Sequence, residues 1–173
     1  MPIARVFAAF AALQLATGTA SAQGAKATDP QIAHIYTAGV IDIKAAKLAL
    51  GRSKNKEVIA FAKDMVRDHS AVNQKALALV KKLKLTPEDN DTSRSLVQKA
   101  DEDHATLSKL HGAEFDKAYA NNEVAYHKTV NGALETTLIP DASNPELKDL
   151  LSTGLKIFQG HEQHAEHLVE TLK

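Results

Sequence analysis

The sequence predicts an all-α protein: an antiparallel four-helix bundle with an extra short helix between its second and third long helices. Three observations predict it. Apolar residues recur at steps of three and four over long stretches, which is the period of a helix with one buried face. No stretch alternates apolar and polar residues as a half-buried strand does. Polar breaks at residues 86–91 and 140–144, each containing a proline, separate the helical stretches.

The first residues are typical of an export signal. Arg5 supplies a positive charge, residues 6–15 are almost entirely apolar, and an Ala-Ser-Ala sequence before Gln23 matches a cleavage site. This apolar run is too short to cross a bilayer, which takes about 20 residues. We therefore expect export to the periplasm or beyond the cell, without an integral membrane segment after cleavage. The predicted organisation is a signal peptide over 1–22, a polar leader over 23–29 and a four-helix-bundle domain over 30–173.

Composition excludes several classes of site. The chain has 21 basic and 21 acidic residues and no cysteine. A near-neutral chain without a basic run has no electrostatic footprint for nucleic acid. Because the chain has no cysteine thiol, it can form no disulfide, no iron–sulfur cluster and no covalent link to haem. A metal could therefore bind only through His, Asp or Glu. We expect a monomer or small homo-oligomer.

Each predicted helix has a recognisable boundary. Asp29-Pro30 is a helix start, because an acid caps the helix and proline is favoured in its first turn. Pro145 opens the last helix in the same way. Short turns within each pair of long helices indicate two antiparallel hairpins. The predicted long helices are 30–52, 56–84, 113–139 and 145–173, with the short helix at 92–110.

The apolar stripes contain isolated ionisable residues. In the last helix every residue of the stripe is apolar or small except His161. In the second helix His69 lies at the centre of the predicted buried face. His127 lies on the inward line of the third long helix, together with Asp116 and Glu123. The first helix is apolar nearly all round, and Asp42 lies roughly opposite its lysines.

Each long helix thus contributes one ionisable residue near its midpoint, namely Asp42, His69, His127 and His161. With a rise of about 1.5 Å per residue, these four side chains lie within about 6 Å of a common height. Bundle cores build metal and cofactor sites in this way. We expect a metal site with Glu123, Asp116 and Asp68 as supporting residues; a purely structural network of buried polar groups fits the same pattern.

Longer motifs resemble a known family. The segments AGVIDIKAAKLAL, FAKDMVRDHSAVNQKAL, GAEFDKAYANNEVAYH and FQGHEQHAEHL resemble the bacterial domain-of-unknown-function family numbered 4142. The resemblance implies an exported protein with a ferritin-like four-helix fold. The recurrent features of the family correspond here to Asp42, Asp68-His69, Phe115-Asp116 with Tyr119 and His127, and His161. Asp42 stands where the family usually has Glu, and Lys156 where it often has Pro.

These observations leave several functions open. One is a bundle that binds a divalent transition metal (zinc, iron, manganese or copper) in metal handling or stress defence. Another is a non-catalytic envelope or stress protein whose buried network is structural. A third is a haem-binding bundle, against which the small residues on the helix seams argue. No Glu is followed by His three residues later, so a di-iron carboxylate site is not expected. The sequence has no motif of a hydrolase, and we expect no enzymatic activity.

Overall fold

The computed structural model describes residues 27–33 and 35–172 and is all-helical in that part of the chain. The predicted signal peptide and most of the polar leader lie outside the described residues. The helices are α1 (Asp29–Ala33), α2 (Tyr36–Arg52), α3 (Lys56–Leu83), α4 (Asp91–Leu107), α5 (Gly112–Ala133), α6 (Ile139–Asp141) and α7 (Pro145–Thr171), with a π-helical turn (Leu134–Leu138) between α5 and α6.

Asparagine side chains cap three of the helices. Asn55 accepts hydrogen bonds from the first backbone N–H groups of α3, and Asn144 does the same at the start of α7. At α4, Asn90 and Ser93 form a reciprocal capping box. These caps satisfy N–H groups that have no partner within their own helix. They place α3, α4 and α7 within a residue of the predicted starts.

The structure differs from the prediction at three points. The first predicted helix is divided into α1 and α2. The short helix ends at Leu107, three residues before its predicted end. The third long helix, predicted over 113–139, is interrupted by the π-helical turn and ends two residues later than predicted, at Asp141. Pro140 has no backbone N–H to donate to the carbonyl four residues earlier, so one α-helical hydrogen bond is missing at this position. At the residue before it, the N–H of Ile139 donates to the carbonyl of Leu134, five residues earlier, which is the spacing of a π-helix.

The long helices pack in pairs: α2 against α3, α5 against α7, α3 against α7, and α2 against α5. Helix α4 lies over α2 and α5. The buried apolar side chains form two separate clusters. The first includes Ala46, Phe61, Met65, Phe115, Tyr119, Ala120 and Ala165. The second includes Ile32, Ala38, Val130, Leu134, Leu147, Leu151 and Phe158.

A polar layer separates these two clusters. On α2, Asp42 lies between Ala38 of one cluster and Ala46 of the other. On α7, His161 lies between Phe158 and Ala165 in the same manner. None of the helices in the described part of the chain combines the length and apolar character that a membrane span requires.

The close approach of α2 to α3 generates a prediction about two glycines. A Cβ atom at Gly39 would overlap the side-chain amide of Asn73, whereas a Cβ at Gly160 would meet nothing. Alanine in a helix interior is normally about 0.5–1 kcal/mol more stable than glycine. We expect Gly160→Ala to raise the free energy of unfolding by that amount and Gly39→Ala to raise it less, because the amide of Asn73 must first move; urea denaturation measures both. Equal gains at both positions would contradict the packing at Asn73.

Candidate metal centre

Four buried ionisable side chains meet between the two apolar clusters. They come from four helices: Asp42 from α2, His69 from α3, His127 from α5 and His161 from α7. Their exposed fractions are 1%, 3%, 1% and 7%, respectively. All four are therefore buried and close together, as the positions of these residues on the apolar stripes predict.

The three histidines form a triangle. The ring centroids lie 5.7 Å apart for His69 and His127, 5.2 Å for His69 and His161, and 5.5 Å for His127 and His161. Each ring offers one nitrogen to a common space, and these nitrogens lie within 4.8 Å of one another. The three imidazoles could therefore bind one ion if the rings moved closer together.

Asp42 completes the group. Its Oδ2 atom lies 3.3 Å from Nε2 of His69 and 3.4 Å from Nε2 of His127. Neither contact has the geometry of a hydrogen bond, and both carboxylate oxygens of Asp42 are buried without a hydrogen-bond partner. Although Asp42 is one methylene shorter than the Glu usual in the family that the sequence resembles, its carboxylate reaches two of the three histidines.

A backbone carbonyl fixes the orientation of His127. Nδ1 of this ring lies 2.9 Å from the carbonyl oxygen of Glu123, one helical turn earlier on α5. Because a carbonyl only accepts, the proton of the neutral ring must be on Nδ1. The lone pair is then on Nε2, which is buried, has no hydrogen-bond partner and faces Asp42.

A carboxylate orients His161. Its Nε2 lies 3.1 Å from Oδ2 of Asp68, whose pKa is held below its usual value mainly by the hydrogen bonds from Arg67. Arg67 binds Asp68 through two contacts, Nε to Oδ1 at 2.7 Å and Nη2 to Oδ2 at 2.9 Å. His161 therefore donates from Nε2, and its lone pair is on the buried and unpartnered Nδ1.

Periodicity predicted that Asp68 lies on the flank of the stripe, but it did not predict a role for Arg67. Arg67 lies on the exposed face of α3, where a charged residue is expected in any soluble helix. The adjacent Arg67-Asp68-His69 in the sequence is the one signal that could have suggested it. Because consecutive helical residues point about 100° apart, Asp68 contacts the histidine of α7 while His69 points into the core.

Packing rather than hydrogen bonding holds His69. Its ring stacks on Phe158 with the centroids 4.6 Å apart and the planes 7° from parallel. Both ring nitrogens are buried and neither has a hydrogen-bond partner among the described residues. His69 can therefore present either nitrogen.

The two further acids on the inward line of α5 are placed differently. Glu123 is 1% exposed, and its Oε2 lies 3.8 Å from Nδ1 of His127 and has no hydrogen-bond partner. Asp116 is also buried. It lies eleven residues before His127, however, which is about 16 Å along the helix. The structure thus brings Glu123 and Asp68 to the cluster and leaves Asp116 some three turns away.

Burial keeps the three histidines, Asp42 and Glu123 electrically neutral near pH 7, whereas Asp68 at the edge of the cluster is ionised. Loss of solvation lowers the pKa of His69 to about 2 and that of His127 to about 4, and it lowers the pKa of His161 as well. The same cause raises the pKa of Asp42, and it raises that of Glu123 together with the nearby charge of Asp42. The imidazoles therefore keep their lone pairs, and the carboxyl groups keep their protons, until a cation is present.

The depressed histidine pKa values predict how metal-free protein responds to acid. In the unfolded chain a histidine binds a proton near pH 6.5, whereas folded His69 remains neutral to about pH 2. The unfolded state therefore binds more protons below pH 6.5, and stability falls as pH falls. Relative to His69→Gln, wild-type protein should lose about 1.4 kcal/mol per pH unit between pH 6.5 and 4.5 in EDTA.

Urea unfolding at several pH values measures this difference, and other titrations common to both proteins cancel in the comparison. Above pH 6.5 the two curves should run parallel. The exposed His167 provides the control, since His167→Gln should follow wild type throughout. Parallel curves for His69→Gln and wild type below pH 6.5 would show that His69 is not held neutral by burial.

Comparison with known proteins bears on the identity of the chain. The chain matches none of the curated proteins and none of the solved structures. A family model described as "Domain of unknown function (DUF4142)" matches residues 14–168, which is most of the chain. The matched region contains α2, α3, α5, α7 as far as Leu168, and every residue of the buried cluster. The protein therefore belongs to the DUF4142 family.

Proposed function

We propose that the protein binds one divalent first-row transition metal ion through His69, His127, His161 and Asp42. One observation carries the proposal: these four side chains meet in the core, and each has a buried nitrogen or oxygen atom that lacks a hydrogen-bond partner. Buried polar atoms in folded proteins are nearly always paired, and clusters that are not paired require an explanation. A cation in their midst would satisfy several of these atoms at once.

The distances around Asp42 suit such an ion. Two ligand atoms of a tetrahedral zinc ion, each about 2.0 Å from the metal, are about 3.3 Å apart. The separations of Oδ2 of Asp42 from the nitrogens of His69 and His127, 3.3 and 3.4 Å, match this value. The histidine nitrogens lie up to 4.8 Å apart, so an ion would draw these rings inward by on the order of 1 Å.

The orientation of the histidines also suits metal binding. Histidines that ligate a metal usually donate their second N–H to a carboxylate or a backbone carbonyl, which fixes the tautomer. His161 donates to Asp68 and His127 donates to the carbonyl of Glu123. In a structural network, the inward-facing nitrogens would be the hydrogen-bonded ones.

The donor set indicates which ions and which role are favoured. Three imidazoles and one carboxylate suit zinc, iron, manganese or copper(II) rather than the hard ions calcium and magnesium. Four protein ligands leave a tetrahedral ion without an open position for substrate. We therefore infer metal storage, buffering or stress defence rather than catalysis, by a protein exported through residues 1–22.

The ferritin-like arrangement is part of the same proposal. It is supported by the packing of α2 on α3 and of α5 on α7 as hairpins, and by the long connection that carries α4 between them. In bundles of this kind, ions bind between side chains that project inward from all four helices. The absence of a Glu-x-x-His motif favours a single ion over a di-iron centre.

Thermal unfolding with and without metal tests the proposal. A ligand that binds only the folded state stabilises it, by about 2.7 kcal/mol at a free concentration one hundred times Kd. We expect at least one of zinc, manganese, copper(II) and iron(II) to raise the midpoint of wild-type protein. His69→Gln should abolish this shift, and the exposed His164→Gln should retain it. If no ion shifts the midpoint and protein purified from its host carries none, the cluster is purely structural.

A matched pair of acids tests the supporting role of Asp68. Asp68 accepts a hydrogen bond from His161, whereas Asp64 binds the same Arg67 at 2.6 Å without touching a histidine. Loss of a group that orients a ligating histidine typically weakens metal binding 10- to 100-fold. Asp68→Asn should show a loss of about this size in a competition titration with a chelator, and Asp64→Asn should not. Equal affinities for the two variants would remove Asp68 from the site.

A further inference from the structure

A cleft connects the surface to one side of the candidate metal centre. It lies between α2, α4 and α5 and has a volume of about 230 Å³. Lys44, Asp101 and His104 line its outer part, and Asp42 and Glu123 line its inner end. The volume of the cleft exceeds about 180 Å³, the volume of six waters at about 30 Å³ each. Asp42 and Glu123 are each 1% exposed, so an ion in the cleft reaches their oxygens only after it sheds water and the lining side chains move.

A second group of potential ligands meets at the inner end of this cleft. Asp42, Glu123 and His127 each offer one atom within 4.8 Å of the others, and of these three residues Asp42 and Glu123 line the cleft whereas His127 does not. Glu123 Oε2 and Asp42 Oδ1 are buried and have no hydrogen-bond partner. These oxygens can accept a cation before it reaches the imidazoles, because none of the three clustered histidines lines the cleft.

The opposite side of the cluster offers no comparable route. The cavity beside Phe158 has a volume of only about 30 Å³ and is lined mostly by apolar side chains such as Val72, Leu147 and Leu151. Neither a carboxylate nor a histidine is among the described residues that line it. A hydrated divalent cation would lose its water there without gaining a carboxylate or imidazole ligand, at a cost of many kcal/mol.

We propose that Asp42 and Glu123 form a loading site for a divalent cation at the inner end of this cleft. The inference rests on the proposed function. Oxygens of Asp42 and Glu123 replace part of the ion's hydration shell first, and the protons of the two carboxyl groups leave to solvent through the cleft. The ion then moves to Oδ2 of Asp42 and the nitrogens of His69, His127 and His161. Asp42 belongs to both positions, so the ion keeps one protein ligand during the transfer. The cleft controls the rate at which the cation is taken up and released, while the histidines determine the affinity of the protein for the cation.

Stopped-flow uptake of cobalt(II) tests the loading site. Cobalt bound by nitrogen ligands in tetrahedral geometry absorbs visible light, so absorbance reports its arrival at the histidines. Ala100 is a half-buried residue of α4 that lines the cleft. Ala100→Phe fills that space and should slow uptake and release at least tenfold, leaving the affinity within about twofold. Glu123→Gln, which removes the carboxylate but keeps its size, should also slow uptake at least tenfold.

Two controls accompany these variants. Ala105→Phe places the same ring on an exposed part of α4 outside the cleft, and Glu114→Gln removes an exposed acid of α5. Both should take up cobalt at the wild-type rate, and circular dichroism checks that every variant is folded. Wild-type rates in both Ala100→Phe and Glu123→Gln would overturn the loading site while leaving the metal centre intact. Failure of wild-type protein to bind cobalt at equilibrium would overturn the metal centre, and the loading site with it.

Discussion

The rest of the structure depends on one constraint: side-chain nitrogen and oxygen atoms without hydrogen-bond partners are held in the middle of an apolar core. Each buried polar atom without a hydrogen bond costs about 1–3 kcal/mol, and several such atoms lie between the two apolar clusters. Helices free to slide or rotate would relieve this cost by pairing the groups or exposing them to water. The packing of Phe61, Tyr119 and Phe158 above and below the layer holds the helices in register.

The orienting contacts of the cluster differ in character and therefore in how they respond to change. His127 is oriented within its own helix by the backbone carbonyl of Glu123, so replacing the side chain of Glu123 leaves that acceptor in place. His161 depends on Asp68, which depends in turn on Arg67 at the surface. The second path joins a buried imidazole to a solvent-exposed cation. A change at the surface of α3, such as screening of the Arg67–Asp68 ion pair by salt, therefore affects the contact that orients His161 and leaves the contact that orients His127 unchanged.

Sequence periodicity predicted much of this arrangement, because a stripe of apolar residues identifies the buried face without any knowledge of tertiary contacts. His69 and His161 each interrupt a regular stripe, and both are buried. Periodicity could not give the choice of ring nitrogen, which depends on neighbours such as Asp68 that lie on another helix. It also missed the break between α1 and α2 and the π-helical turn near Pro140, since both depend on local hydrogen bonding. Asp116 shares the inward line of α5 with Glu123, and only distance along the helix separates their roles.

The neutrality of the buried cluster bears both on its stability and on the metal binding that we propose. Without a cation, burial favours protonated carboxyl groups and neutral imidazoles, so Asp42 and Glu123 carry no charge to be solvated. In the proposed site a divalent ion would reverse this preference at Asp42, because the carboxylate is the better ligand and its proton would leave. Asp42 and Glu123 both line the cleft between α2, α4 and α5. An aspartate at position 42 thus suits the proposed site in two ways: its carboxyl group already lies 3.3 Å from His69, and its proton would leave by the side from which we propose that the ion enters.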